Sequence, residues 1–295
     1  MNEILGPAWV RNTRAAVRLT IYLFFTLALI PVQALAVSLK WRLRETLPVF
    51  YHRTCCRLWG MTIEVRGELS SNRPTLLVSN HVSYLDIPVL SNLGALSFVA
   101  KSEVASWPFF GLLAKLQRTV FVDRRRASAA RQRDAIGDRL AAGDRLVLFA
   151  EGTSNDGNRV LPFKSALFSV AGRADENTNL TLQAMSLAYT TLNGIPIGRN
   201  IRPHYAWYGD MDLGGHLWTF AGLGRTHIVI TLHPPLDPKA FPSRRALALH
   251  MQEQVTAGVA AALTGRPMAG ATEAVDNESG TSLTGEGGSL GSEAA

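Results

Sequence analysis

Cysteine is all but missing from this chain of 295 residues: Cys55 and Cys56 are the only two, and they are adjacent. Neighbouring cysteines rarely bridge each other, and no Cys-x-x-Cys spacing occurs, so the sequence offers neither a disulfide framework nor a cysteine-held zinc site. That usage fits a reducing compartment. Histidine supplies no substitute, because His204, His216, His227 and His233 lack metal-ligand spacing. Within residues 61–266 no Gly-x-Ser-x-Gly elbow follows an apolar run, so a serine hydrolase has no support. Charge is sparse too: 18% of residues are charged and 47% are apolar. Residues 267–295 hold no Lys or Arg, only the acids Glu273, Asp276, Glu278, Glu286 and Glu293, so the net charge of +7 understates how basic the rest is. A basic body suits anionic lipid, an acidic carrier or nucleic acid. No nucleic-acid recognition motif is present, and a long apolar segment is, which sets nucleic acid aside.

That segment is Leu19 to Leu39, 21 residues without a charge, preceded by Arg11, Arg14 and Arg18 and followed by Lys40, Arg42 and Arg44. At ~1.5 Å per residue it is long enough for a ~30 Å hydrocarbon layer. Three readings compete: an anchor that spans the bilayer or lies half in it, a signal peptide cleaved after Ala34-Leu35-Ala36, and a buried helix. Basic residues on both flanks leave the orientation open. Residues 41–60 interleave Trp41, Leu43, Leu47, Phe50 and Tyr51 with Arg42, Arg44 and Arg53, as in a surface or membrane-surface helix.

From Met61 the texture changes. Short β-rich runs (61–66, 75–79, 97–100, 119–122, 146–150, 180–188 and 228–232) alternate with helical stretches, clearest at 127–142. The alternation predicts an α/β domain with a mixed, largely parallel sheet flanked by helices. Residues 242–263 read as a closing helix. The Gly-, Ser- and Glu-rich remainder cannot bury a core and is expected to be disordered. The expected division is therefore an N-terminal membrane anchor at 1–45, one catalytic domain at 46–265 and a tail at 266–295.

Four apolar runs end in reactive residues: Asn80-His81, Lys101-Ser102-Glu103, Asp123-Arg124 and Glu151-Gly152-Thr153. In open α/β sheets, sites form outside the carboxyl ends of strands, so these endings are expected to share one cleft. Within it, His81 and Asp86 stand five residues apart. On one continuous helix they would point about 140° away from each other. With His81 in the turn after a strand and Asp86 capping the next helix, where Pro88 is tolerated, they can meet. A carboxylate on one imidazole nitrogen leaves the other free as a general base. The alternative is a turn residue beside an ordinary helix cap.

The stretch NHVSYLD resembles the HxxxxD box of the glycerolipid acyltransferases, the 1-acylglycerol-3-phosphate acyltransferase family. Residues 98–124, ending Val122-Asp123-Arg124, resemble the family's second block, and LFAEGTSNDG resembles its EGT block; the blocks occur in family order across about residues 58–240. The resemblance implies that His81, oriented by Asp86, deprotonates a lipid hydroxyl, which attacks a fatty acyl thioester directly. It implies no cofactor, with acyl carrier protein or CoA delivering the acyl group as co-substrate. Glu151, Gly152 and Thr153 would help bind the acceptor, and Arg124 its anionic head, with Lys101 as a second cation. No metal is expected. The expected partners are a membrane bilayer, a lyso-lipid and the thioester carrier, at the cytoplasmic face of a bacterial inner membrane. The family default acceptor is lysophosphatidic acid, giving phosphatidic acid. Two departures point elsewhere. Ser154 stands where the family usually has Arg, and Ala184-Met185 where it has a Val/Pro pair. Residues 202–218, RPHYAWYGDMDLGGHLW, resemble the branch that acylates lyso-ornithine lipid, whose head lacks phosphate. Trp207, Tyr208 and Trp218 are either pocket or packing residues. An inactive lipid-binding protein and a hydrolase using His81 on water are the competing function classes.

Overall fold

The structure is a computed structural model that describes residues 5–122, 129–169 and 179–266. It opens with helix α1 (Ala8–Ser38), which contains Pro31, and α2 (Leu43–Leu58). Then come β1 (Met61–Arg66), β2 (Thr75–Ser79), a short α3 (Asp86–Leu90), β3 (Ser97–Lys101), α4 (Phe110–Leu116), β4 (Val120–Val122), α5 (Ala129–Ala141) and β5 (Arg145–Phe149). β6 (Thr181–Leu192), β7 (Ile195–Pro196), α6 (Leu213–Ala221), β8 (Thr226–Leu236) and α7 (Arg244–Thr264) complete the described residues.

The strand order is β1-β8-β6-β2-β5-β3-β4, with β7 paired to β6. β6, β2, β5, β3 and β4 form a parallel block; β8 runs against β6, and β1 runs parallel to β8. This is the expected mixed, largely parallel sheet. β2 lies at its centre and is buried at all five positions, as a strand covered on both faces must be. Alternation sorts its side chains: Leu77 enters one core with Val147, Met185 and Leu187, while Leu76 and Val78 enter the other with Leu146, Leu148 and Ala184. Helices α1, α2 and α3 cover the first face; α5 and α7 cover the second. Ala184 and Met185 are fully buried, paired in register with Val78 and Ser79.

Helix α1 does not stand apart from the domain. Its buried face carries Ala15, Tyr22, Thr26, Gln33 and Ala36. Arg14 and Arg18 donate to the carbonyls of Gly222, Ala221 and Leu223 at the end of α6, and Gln33 donates to Leu116 at the end of α4. The opposite side exposes Val17, Ile21, Phe24, Leu27, Leu35 and Leu39. The segment 41–60 forms α2, which buries His52, Cys55 and Cys56 against the domain and exposes Phe50. The expected boundary at 45 thus falls inside α2. The tail 267–295 lies outside the described residues.

Helix α7 approaches β6 and β8 at Gly258. A Cβ there would overlap Ser186 Oγ and sit 2.9 Å from His233 Nε2. Ser186 and His233 are hydrogen-bonded to each other at 2.7 Å and buried, so neither yields easily. We predict that Gly258→Val lowers stability by about 1–3 kcal/mol through overpacking. Thermal unfolding of the purified protein in detergent checks this.

Candidate active site

The parallel block places the carboxyl ends of β2, β5, β3 and β4 on one edge of the sheet. There they border a cleft of about 990 Å³. Of the expected site residues, His81, Lys101, Gly152 and Thr153 line it, as does Ser154. Arg124 lies outside the described residues. Trp207 and Tyr208 line the cleft; Trp218 does not, and donates instead to Asn12 Oδ1.

His81 leaves the end of β2 in a turn fastened on every side. Asn80, just before it, exchanges two hydrogen bonds with the backbone of Leu187 in β6, at 2.8 and 2.9 Å. The His81 backbone N–H donates to Glu151 Oε1 at 3.0 Å, and its carbonyl accepts from the Asn155 N–H at 3.2 Å. Its ring stacks on Phe149, with centroids 4.0 Å apart.

The imidazole Nδ1 lies 2.8 Å from Asp86 Oδ2. The same oxygen accepts from the N–H groups of Val82 and Ser83, at 2.7 and 3.1 Å. Oδ1 accepts from the Tyr189 hydroxyl at 2.9 Å. Asp86 is fully buried. A buried carboxylate ringed by three donors in this way is an acceptor toward the fourth, so Nδ1 carries a proton and Nε2 is the bare nitrogen facing the cleft. Burial and the Asp86 charge raise the Tyr189 pKa well above its ordinary value, so it remains a donor. Asp86 is the first residue of α3 rather than its cap. The cap position is Leu85, and the carboxylate turns back into the loop that carries His81.

Glu151 sits behind this turn rather than in the cleft. It is 1% exposed. Its oxygens accept from the His81 N–H, from the Leu161 N–H at 3.2 Å and from the Asn155 amide. The carboxylate thus splices the loop after β5 to the loop after β2. Burial pushes its pKa up to about 7, against the pull of these donors. Gly152 follows at φ +67°, and a Cβ there would come 3.0 Å from the Lys164 ammonium, so the tight turn requires glycine. Sequence reasoning missed Asn80, Tyr189 and Asn155 as supports. Asn80 and Asn155 lie inside the quoted motifs, but nothing local marks Tyr189.

A family model described as Acyltransferase matches residues 62–197. A lyso-ornithine lipid O-acyltransferase of Brucella abortus is 46% identical over 245 residues, covering 82% of this chain and 92% of that one. The chain belongs to the acyltransferase family. Another lyso-ornithine lipid O-acyltransferase, from Rhizobium meliloti, is 38% identical and covers 88% of this chain and 89% of that one. A 1-acyl-sn-glycerol-3-phosphate acyltransferase of Neisseria gonorrhoeae is 32% identical, covering 63% and 69%. The fold matches the 1-acyl-sn-glycerophosphate acyltransferase of Thermotoga maritima, with a TM-score of 0.61 at 22% identity, over 85% of this chain and 96% of that one. The protein is an acyltransferase, and its apolar N-terminal helix together with these lipid-acyltransferase relatives makes it membrane-associated.

The raised Glu151 pKa carries a pH signature. An acid whose pKa rises on folding takes up a proton, so its contribution to stability is full below its ordinary value of 4.5 and is lost as pH climbs through about 7. We predict that Glu151→Gln removes this slope between pH 4.5 and 7. At the same time it lowers stability by roughly 1–3 kcal/mol, because whichever way the amide turns, its NH2 faces a donor, His81 on one side or Asn155 and Leu161 on the other. Denaturant unfolding across that pH range measures both effects.

Proposed function

We propose that the protein transfers a fatty acyl group from a thioester, on acyl carrier protein or CoA, to the hydroxyl of lyso-ornithine lipid. The observation that carries the chemistry is the ring of donors that locks Asp86 onto His81 Nδ1 and leaves Nε2 facing the cleft. Nε2 takes the acceptor's hydroxyl proton as the oxygen attacks the thioester carbonyl. The tetrahedral intermediate then expels the thiolate, which takes the proton back from the imidazolium. Nothing in this sequence needs an acyl-enzyme or a metal. Asp86 orients the base and balances the imidazolium charge. Gly152, Thr153 and Lys101 border the acceptor, whereas Glu151 positions the His81 loop; the carboxylate acts through the loop and not on the lipid. Arg124, which lies outside the described residues, keeps the role expected of it toward an anionic group.

The acceptor reading moves away from the family default of lysophosphatidic acid. The relatives at 46% and 38% identity are named for lyso-ornithine lipid, and they align with nearly their whole length. Ser154 lies in the cleft where the phosphatidic-acid-forming members usually place an arginine, so the loop offers a hydroxyl instead of a charge. The relative named for 1-acyl-sn-glycerol-3-phosphate, at 32% identity, supports that acceptor as the second reading.

A separate apolar cavity of about 210 Å³ lies under α1 and α2 and is lined by Tyr22, Leu29, Tyr51 and Trp59. It shares Tyr84, Ile87, Phe98 and Trp107 with the cleft, so an acyl chain whose carbonyl lies at His81 can run into it. Helix α1 is fastened to the domain from Arg14 to Gln33, with its apolar side outward. That arrangement supports a helix lying in the plane of the cytoplasmic leaflet of a bacterial inner membrane, half embedded, over a helix crossing it. It also speaks against loss of the segment by cleavage, which would uncover Tyr51, Trp59 and the cavity.

Washed membranes containing the protein are expected to acylate lyso-ornithine lipid, and His81→Ala is expected to lower the rate by about 10²–10⁴-fold. Transfer to lysophosphatidic acid alone would overturn the acceptor assignment. Undiminished transfer by His81→Ala would overturn the mechanism. Equal release of free fatty acid with and without acceptor would point to hydrolysis instead.

A further inference from the structure

One wall of the cleft is built from aromatic rings set edge to face. Trp107 and Trp207 lie 5.6 Å apart between centroids at 79°, and Tyr84 and Trp207 lie 6.1 Å apart at 71°. All three line the same cleft as His81, and Tyr208 joins them there. Trp207 is the middle ring. It borders the cleft and not the apolar cavity, which has Tyr84 and Trp107 in its wall.

The polar tips of two of these rings are occupied inside the protein. The Trp207 indole N–H donates to the carbonyl of Met211 at 2.9 Å, and its backbone N–H donates to Val82 at 3.1 Å, one residue from His81. Tyr84 bonds His216 Nδ1 at 2.8 Å. Burial holds the His216 pKa near 4, so the imidazole is neutral. With those tips tied down, what these rings can offer a ligand is aromatic surface, whose negative quadrupole attracts a cation. A phosphate gains nothing from such a wall. An ornithine joined to a fatty chain through one amino group keeps its other amine as an ammonium and also carries a carboxylate. Lys101, Arg244 and Arg245 line the same cleft and provide the complementary charge for that carboxylate.

We propose that Tyr84, Trp107, Trp207 and Tyr208 form an aromatic box that binds the alkylammonium of the acceptor's head group, and that this box sets the acceptor preference. The proposal rests on the lyso-ornithine lipid reading above and names its structural basis. In this account two features act together: Ser154 removes an attraction for phosphate, and the box adds one for a cation.

The test compares two acceptors: lyso-ornithine lipid, and the same lipid with its free amine acetylated and hence uncharged. The full-length protein in detergent micelles is assayed as wild type, Trp207→Leu and Trp207→Phe, with KM and kcat taken separately. The wild type is expected to bind the charged acceptor about 5- to 30-fold better than the acetylated one, the worth of one desolvated cation–π contact. Trp207→Leu is expected to raise KM by a similar factor for the charged acceptor and to leave the acetylated one little changed, with Trp207→Phe in between. Equal KM values for the two acceptors in the wild type overturn the proposal without needing any variant. A Trp207→Leu effect that is the same on both acceptors also overturns it, since that is the mark of packing alone. If the wild type acylates lysophosphatidic acid but neither ornithine acceptor, the reading beneath the proposal fails and the box falls with it.

Discussion

The buried carboxylate of Asp86 is the contact on which the rest of the site depends. It gathers four donors: two backbone N–H groups from the turn it closes, a tyrosine hydroxyl from a strand, and the imidazole of His81. A charge in that position, cut off from water, is tolerated because three donors converge on Oδ2 and a fourth on Oδ1. The constraint acts both ways. The donors fix the carboxylate, and the carboxylate fixes the tautomer and tilt of the ring that faces the cleft. Glu151 repeats the device one layer back, joining the loops after β2 and β5 through His81, Asn155 and Leu161.

The sheet makes these loops neighbours. Because β2, β5, β3 and β4 run parallel side by side, four chain segments that are far apart in sequence end at one edge. The central strand is buried at every position, so its end is a firm place on which to mount the His81 ring. The outward apolar side is assembled separately. Helices α1 and α2 lie over the face opposite α5 and α7, with apolar residues turned outward and the apolar cavity beneath. Tyr84, Ile87, Phe98 and Trp107 line both that cavity and the cleft that His81 borders.

Much of this was legible because it is local. The strands at 61–66 and 75–79 have the predicted bounds, as their apolar runs are short and sharply punctuated. The His81–Asp86 pair was readable because five residues with a turn between them leave few geometries. Tyr189 was not, since it stands 103 residues from Asp86 and only strand register brings it there. Glu151 reads in its motif as an acceptor-binding group; its burial and its bonds to His81, Asn155 and Leu161 come from tertiary contacts that the motif does not display. The docking of α1 was equally hidden, because hydropathy measures apolarity along the helix and not which residues a domain will cover. The aromatic wall required a contact between residues 107 and 207 that no spacing reveals.

The central claim is that Asp86 makes His81 a base by holding its Nδ1 proton. Acyl transfer by Asp86→Asn tests it most directly, measured on protein whose folding is checked by circular dichroism. An amide presents one acceptor oxygen and one donor where the carboxylate presents two acceptors, so it serves the surrounding donors poorly and favours the wrong tautomer of His81. The account predicts a folded protein with kcat lowered by about 10²–10⁴-fold and the KM for the acceptor little changed. A folded Asp86→Asn protein with near-wild-type kcat would contradict it.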